Sequence, residues 1–290
     1  MSVLCLIANP ADPELTPALA ANVQRETGGE LNWLAQTLAC EIIAPKSTDP
    51  VGAARSVIGS AAIDAVLVPG TGRRKRLLLA DMDSTMINEE CIDELADALG
   101  LKSEVSAITA RAMNGEMDFA EALDTRVALL RGLERRRIEQ IRRERITYAP
   151  GGRALVQTMK AHGAHTALIS GGFTYFADHI GRRIGFDEIV ANELIFDGDR
   201  LTGEVGKPIV DKSTKARRLI ELIAEHQLAT AQTLAVGDGA NDLPMLRNAG
   251  FGVALHAKPA VASEAPIRID HGDLTALLYL QGYSDEDFVR

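Results

Sequence analysis

Asp81 and Asp83 stand two residues apart at the end of the apolar run Leu77-Leu78-Leu79-Ala80. Four such residues predict a buried strand, and an extended segment sends alternate side chains to the same side. Two carboxylates at the C-terminal end of that strand would face the crevice where open α/β sheets bind ligands. Held so close, they repel unless a cation or a shared proton relieves them. The pair therefore asks for a divalent metal, with one carboxylate ionised and the other free to carry a proton. A turn with two strand-ending aspartates would look the same, so the rest of the chain has to decide.

Three further segments bear on that choice. Gly237-Asp238-Gly239-Ala240-Asn241-Asp242 closes the apolar residues 233–236, again placing acids at a strand end. Acids drawn from two strand ends suit an oxygen-ligand Mg²⁺ site, which a plain Asx turn does not explain. Ser170-Gly171-Gly172 joins the apolar residues 166–169 to a helical pattern over 174–184. Glycine N–H groups at a helix N-terminus, with a serine hydroxyl, suit an anion; they also suit an ordinary strand–helix turn. Lys215 follows Ser213, an expected N-cap, and falls in the first turn of a helix ending near Glu225. A cation there opposes the helix dipole by roughly 0.3–1 kcal/mol. An anionic ligand or a neighbouring carboxylate would offset that, whereas a solvated lysine would simply tolerate it.

The elements that must hold these residues follow from the pattern. From residue 77 onward, strands at 77–81, 165–170, 189–191, 234–238 and 251–255 alternate with helices, which predicts a parallel sheet covered on both faces. Residues 88–148 break the rhythm with helices alone. Ile92, Leu95, Ala96 and Leu99 mark one amphipathic helix, and Phe119, Leu123, Val127 and Leu130 another. A helical cap there would exclude water from the paired aspartates. Residues 191–209 hold the turn Phe196-Asp197-Gly198-Asp199-Arg200, expected as a hairpin beside the site. The first 72 residues alternate β-like runs (4–8, 40–44, 65–68) with helical stretches near 14–24 and 51–62. They are expected to form a small α+β domain compatible with a ferredoxin-like or ACT-like unit, joined at Pro69-Gly70-Thr71-Gly72 to a domain over 73–290. Every candidate for chemistry lies beyond residue 76.

Composition narrows the function classes. The 290 residues are 46% hydrophobic and 24% charged, with net charge −9, so a sizeable core is available and nucleic acid or an anionic membrane is not the expected partner. The basic runs Arg73-Arg74-Lys75-Arg76 and Arg135-Arg136-Arg137 are expected to be a solvated linker and an outer helix face. Cys5, Cys40 and Cys91 form no CxxC pair, the short apolar N-terminus has no basic flank, and no run approaches a membrane span. A cytoplasmic protein with reduced thiols is the expectation.

Taken together, Asp81-Met82-Asp83-Ser84-Thr85, the Ser170 turn, Lys215 and the 237–242 block resemble the four motifs of the haloacid dehalogenase superfamily, in order, over residues 77–271. Within it, Asn88-Glu89-Glu90-Cys91-Ile92-Asp93-Glu94, residues 113–119 and Arg126-Val127-Ala128-Leu129-Leu130 are similar to cap segments of phosphoserine phosphatases, as are Ser170-Gly171-Gly172-Phe173 and the 237–242 block. The resemblance implies a Rossmann-like core with a helical cap inserted after its first strand. It further implies hydrolysis of O-phospho-L-serine, the last step of phosphorylated-pathway serine biosynthesis, through an aspartyl-phosphate, with Mg²⁺ as cofactor.

Roles carry over residue by residue. Asp81 would be the nucleophile and Asp83 the acid/base. Asp81, the backbone carbonyl of Asp83 and Asp238 would hold the metal. Lys215 and Ser170, Gly171 and Gly172 would meet the phosphoryl group, with Asn241 touching substrate and Asp242 supporting metal and lysine. Glu90 would pair with the substrate ammonium, although an acid in a first helical turn needs no further role. Arg126 has Ala122, Leu123, Leu129 and Leu130 at its i±3 and i±4 positions. Its guanidinium suits capture of a carboxylate or phosphate, or it sits on the stripe's edge with its head in water. Phe119 would stand near substrate, or pack in the core.

Overall fold

The computed structural model describes residues 1–113 and 116–289. Its first part runs β1 (Ser2–Ala8), α1 (Pro17–Thr27), β2 (Glu30–Ala35), β3 (Ala39–Ile43), α2 (Pro50–Ile58) and β4 (Ile63–Pro69). The strands form an antiparallel sheet in the order β2-β3-β1-β4, the βαββαβ arrangement of ferredoxin-like folds. Period-two alternation along β1 splits its apolar side chains between two layers. Leu4, Leu6 and Ala8 pack with Ala20, Val23, Ala54 and Ile58 of α1 and α2. Val3, Cys5 and Ile7 join the core of the second part instead.

The second part begins with β5 (Leu77–Ala80) and continues through α3 (Cys91–Asp97), α4 (Lys102–Met113), α5 (Phe119–Ala128), α6 (Arg135–Arg145) and α7 (Gly152–Ala161). Then come β6 (His165–Phe173), α8 (Thr174–Ile184), β7 (Glu188–Asn192), β8 (Leu194–Asp197), β9 (Arg200–Val205) and α9 (Lys212–Glu225). The chain closes with β10 (Thr233–Gly237), α10 (Leu243–Asn248), β11 (Phe251–Leu255), α11 (Pro259–Ala262), β12 (Ile267–Ile269) and α12 (Ala276–Leu280). Six strands form one sheet in the order β12-β11-β10-β5-β6-β7, every pair parallel. Along β5, Leu77 and Leu79 face α9 and α10, while Leu78 and Ala80 face the opposite core layer. Strand order reverses between β5 and β10, so the crevice at a switch point opens at their C-terminal ends.

Helices α3 to α6 form the insertion. Its two connections run side by side: Ile87 bridges Tyr148, Asn88 N–H donates to Thr147 O, and the Glu89 carboxylate accepts from Thr147 N–H and hydroxyl. Arg145 ties α6 back to Glu94 and Asp97 of α3, at 3.2 and 2.6 Å. The expected hairpin is β8–β9, and it packs on α5, with Lys207 paired to Asp124 at 2.8 Å.

Several local expectations are corrected. Lys75 of the basic run is buried rather than solvated; its Nζ donates to Ala231 O at 2.7 Å and lies 3.6 Å from the Phe251 ring centroid. Arg73 pairs with the buried Glu41 at 2.8 Å, while Arg74 and Arg76 are exposed as expected. Arg136 and Arg137 are exposed on α6, but Arg135 lies over the Phe196 ring. The α9 N-cap is Asp211, not Ser213: its Oδ1 accepts from Thr214 N–H at 2.9 Å, making Lys215 the fourth helical residue. Strands β2 and β12 were not expected.

Candidate active site

Backbone geometry delivers the four motifs to one place. Asp81 leaves β5 at the switch point, its N–H still donating to Val236 O of β10 at 3.0 Å. Its side chain is held at both oxygens. Oδ1 accepts from Met82 N–H at 2.7 Å, and Oδ2 meets Lys215 Nζ at 2.7 Å. Lys215 reaches in from α9 and also contacts Asp242 Oδ1 at 2.6 Å. Asp242 in turn accepts from Gly239 N–H at 3.1 Å. Lys215, Asp81 and Asp242 are all buried. Burial alone would lower the Lys215 ammonium, but the carboxylates of Asp81 and Asp242 more than offset it and hold the pKa above its ordinary value. The dipole penalty expected from the sequence is thus met by two carboxylates.

Asp83 faces a different environment. Its Oδ1 accepts from Cys91 N–H at 3.2 Å, and Lys215 does not contact it. Burial, the largest cause, raises its carboxyl to about 7, and the charge of Asp81 adds to this. One aspartate is therefore held against a cation, while the carboxyl of its neighbour is raised towards neutral pH.

Carboxylate oxygens of Asp81, Asp238 and Asp242 lie within 4.8 Å of one another. Burial, then Asp81, raises Asp238 to about 6. Three crowded acids with hard oxygen donors fit a divalent cation such as Mg²⁺. The expected ligand set named Asp83 in place of Asp242, through its backbone carbonyl; the clustered side chains are those of 81, 238 and 242.

Around this centre, Ser170 is buried and its Oγ accepts from Gly172 N–H at 2.9 Å. The segment Ser170-Gly171-Gly172 belongs to β6, which runs on to Phe173 past a register shift before α8 begins. From the cap, Phe119 places its Cζ only 3.3 Å from where a Cβ on Gly171 would lie, so the cap is seated on the Ser170–Gly172 segment. Glu90 keeps contact with solvent, and its Oε1 accepts from Ser84 Oγ at 2.8 Å; enclosure by the site walls, then the charge of Asp83, raises its carboxyl. Arg126 is half-buried, donating from Nε to Ala122 O at 3.2 Å and from Nη1 to Thr109 Oγ1 at 3.3 Å. Among the described residues it forms no ion pair; burial lowers its pKa, and the charges of Asp93 and Glu90 only partly oppose this. Asn241 is half-buried beside Gly239. Asn114 and Gly115 of the cap segment lie outside the described residues.

Some contributors went unnoticed in the sequence. Thr85 Oγ1 donates to Asp238 Oδ1 at 3.3 Å, steadying an acid on the other strand end. Asn192, buried at the end of β7, donates to Gly171 O at 2.8 Å and accepts from Val210 N–H at 2.7 Å. A hydroxyl residue two positions after the aspartate pair is a signal for Thr85; Asn192 has none.

Comparison with known proteins agrees with this geometry. The sequence model of the haloacid dehalogenase-like hydrolases matches residues 78–247. A phosphoserine phosphatase of Albidiferax ferrireducens is 48% identical over 210 residues, covering 71% of this chain and 89% of its own. One from Streptomyces coelicolor is 37% identical over 295 residues, covering 99% of this chain and 72% of its own. The solved structure of a phospho-aspartyl intermediate analogue of phosphoserine phosphatase superposes with a TM-score of 0.66 at 36% identity, covering 71% of this chain and 98% of that one.

Proposed function

Because the chain belongs to the haloacid dehalogenase-like hydrolase family, we propose that it is a phosphatase hydrolysing O-phospho-L-serine to L-serine and phosphate through an aspartyl-phosphate. The observation that carries the assignment is the contrast between Asp81, in direct contact with Lys215, and Asp83, half-buried with no cation in contact and its carboxyl raised to about 7.

In the first half-reaction an Asp81 carboxylate oxygen attacks phosphorus, and the bond from phosphorus to the serine oxygen breaks. Asp83 gives its proton to the departing oxygen, so serine leaves neutral at that atom. In the second, water attacks the acyl-phosphate, Asp83 takes its proton, phosphate departs and Asp81 is restored. Two modest barriers replace one high one. Lys215, the Ser170 hydroxyl and the N–H groups beside it offset the phosphoryl charge, the main demand of this chemistry. Asp81, Asp238 and the Asp83 carbonyl would hold Mg²⁺, with Asp242 and Asn241 supporting them, and the ion would supply further neutralisation of that charge. Under the cap, Arg126 would take the substrate carboxylate and Glu90 its ammonium, with Phe119 closing the space against Gly171.

Release of free serine would suit the last step of phosphorylated-pathway serine biosynthesis. The three cysteines are free and buried, which suits a reducing cytoplasm, and no described helix is long and apolar enough to cross a membrane. Phosphate release from O-phospho-L-serine, with Mg²⁺ and with chelator, tests the reading. Metal-dependent turnover supports it; turnover of other small phosphomonoesters but not of phosphoserine would reassign the substrate.

A further inference from the structure

Helix α4 packs against α5, and Thr109 of α4 bonds across the gap. Its Oγ1 first donates to Val105 O, one turn earlier on its own helix, at 3.0 Å. A hydroxyl has one proton, so with that proton committed Thr109 can only accept from elsewhere. It accepts from Arg126 Nη1 at 3.3 Å. Arg126 Nε donates in turn to Ala122 O of α5 at 3.2 Å. The guanidinium, a rigid plane with five N–H bonds, is thus held at two of its three nitrogens. Nη2 meets no acceptor among the described residues. Arg126 stands two turns after Phe119 on α5, on the face by which the cap meets Gly171.

We propose that Thr109 is a positioning residue that fixes the plane of the Arg126 guanidinium and leaves Nη2 to the substrate carboxylate. The inference rests on the reading of Arg126 as the carboxylate's partner and adds the residue that aims it. A long side chain that must be ordered when its ligand arrives loses affinity, and one held beforehand does not. Threonine suits the task, because β-branching restricts its rotamers on a helix and the bond to Val105 O selects one. Ala122 O anchors the stem of Arg126 alone; the second anchor, from α4, is what stops the plane from turning about it.

The test is a double-mutant cycle read on two substrates. With Mg²⁺ and the full chain, kcat/KM is measured for wild type, Thr109→Val, Thr109→Ser, Arg126→Ala and the double variant of Thr109→Val with Arg126→Ala. The substrates are O-phospho-L-serine and phosphoethanolamine, which has no carboxylate. Valine fills the volume of threonine without the acceptor, so Thr109→Val should lower the phosphoserine value roughly tenfold, the lower end for a hydrogen bond to a charged group, and barely change phosphoethanolamine. Thr109→Ser, which keeps the hydroxyl, should retain most of the wild-type value. In the Arg126→Ala background Thr109→Val should cost nothing more, since a residue acting through Arg126 then has nothing to act on. If Thr109→Val leaves phosphoserine untouched, slows both substrates alike, is matched by Thr109→Ser, or adds its full loss to that of Arg126→Ala, the inference falls while the Arg126 reading stands. If Arg126→Ala itself fails to discriminate between the substrates, both fall.

Discussion

A side chain on Gly172 would place its Cβ 2.5 Å from Asp83 Oδ2, with Met82 Cε at 2.9 Å behind it. The segment expected to bind phosphoryl oxygens thus also forms a wall against Asp83, the proposed acid/base. The Gly171 position is likewise roofed by Phe119, so β6, β5 and the cap meet within a few atoms.

Gly172→Ala should therefore cost activity although it replaces no charged residue. The methyl must push Asp83 from the position set by Cys91, and general acid–base catalysis is worth about 10²–10⁴-fold. Steady-state kinetics on phosphoserine should show kcat falling by at least ~10-fold within that bound and KM changing little. Wild-type kcat in a folded variant would mean that Asp83 has room to spare.

Substrate choice should reside in Arg126. If it holds the substrate carboxylate, Arg126→Ala strands that charge under the cap, at roughly 2–5 kcal/mol of transition-state binding. Phosphoethanolamine lacks the carboxylate and should be a poor substrate, barely affected by the change. Comparing kcat/KM for both substrates in both proteins decides the matter: equal losses would assign Arg126 to the cap or the phosphate.

The acidic cluster should make the metal-free protein less stable as pH rises. Asp83 near 7 and Asp238 near 6 are raised by burial above the ~3.9 of an unfolded aspartate. Between about pH 4 and 7 the folded chain then holds more protons than the unfolded one, so this contribution falls with increasing pH. Paired surface acids such as Asp97, Asp187 and Asp287 have lowered pKa values and act below that range. In chelator, the Tm advantage of Asp238→Asn over wild type should grow from pH 4 to pH 8, and Mg²⁺ should narrow that gap by stabilising wild type. An advantage that shrinks with rising pH would contradict the assignment.

Much of this was legible because the relevant signals are local. The apolar run before Asp81 specifies a central strand, the 174–184 periodicity coincides with α8, and the turn at 196–200 coincides with the tip of the β8–β9 hairpin. The convergence of Asp81, Lys215 and Asp242 follows from acids and a lysine placed at one end of a parallel sheet. Non-local features escaped. In β2, Leu31 and Trp33 alternate with the polar Glu30 and Asn32, and pairing with β3 supplies the rest. Strand β12 has three residues and exists because β11 offers an edge. Lys75 looked solvated because its carbonyl partner, Ala231, is 156 residues away. The first 72 residues carry none of the candidate site residues, yet they are not loosely tethered. Asp64 of β4 accepts the N–H groups of Asp270, His271 and Gly272 at 2.8, 3.1 and 2.8 Å, and α12 packs on β1.

The covalent role of Asp81 is the centre of the account, and trapping it is the most direct test. Wild-type protein with Mg²⁺ is mixed with phosphoserine labelled at phosphorus, quenched in acid within a turnover and digested. The label should reside on the peptide bearing Asp81, as an acyl-phosphate lost on treatment with hydroxylamine, and should be absent from a folded Asp81→Asn variant. Label on Ser84 or Ser170, or rapid turnover with no residue labelled at any quench time, would contradict it.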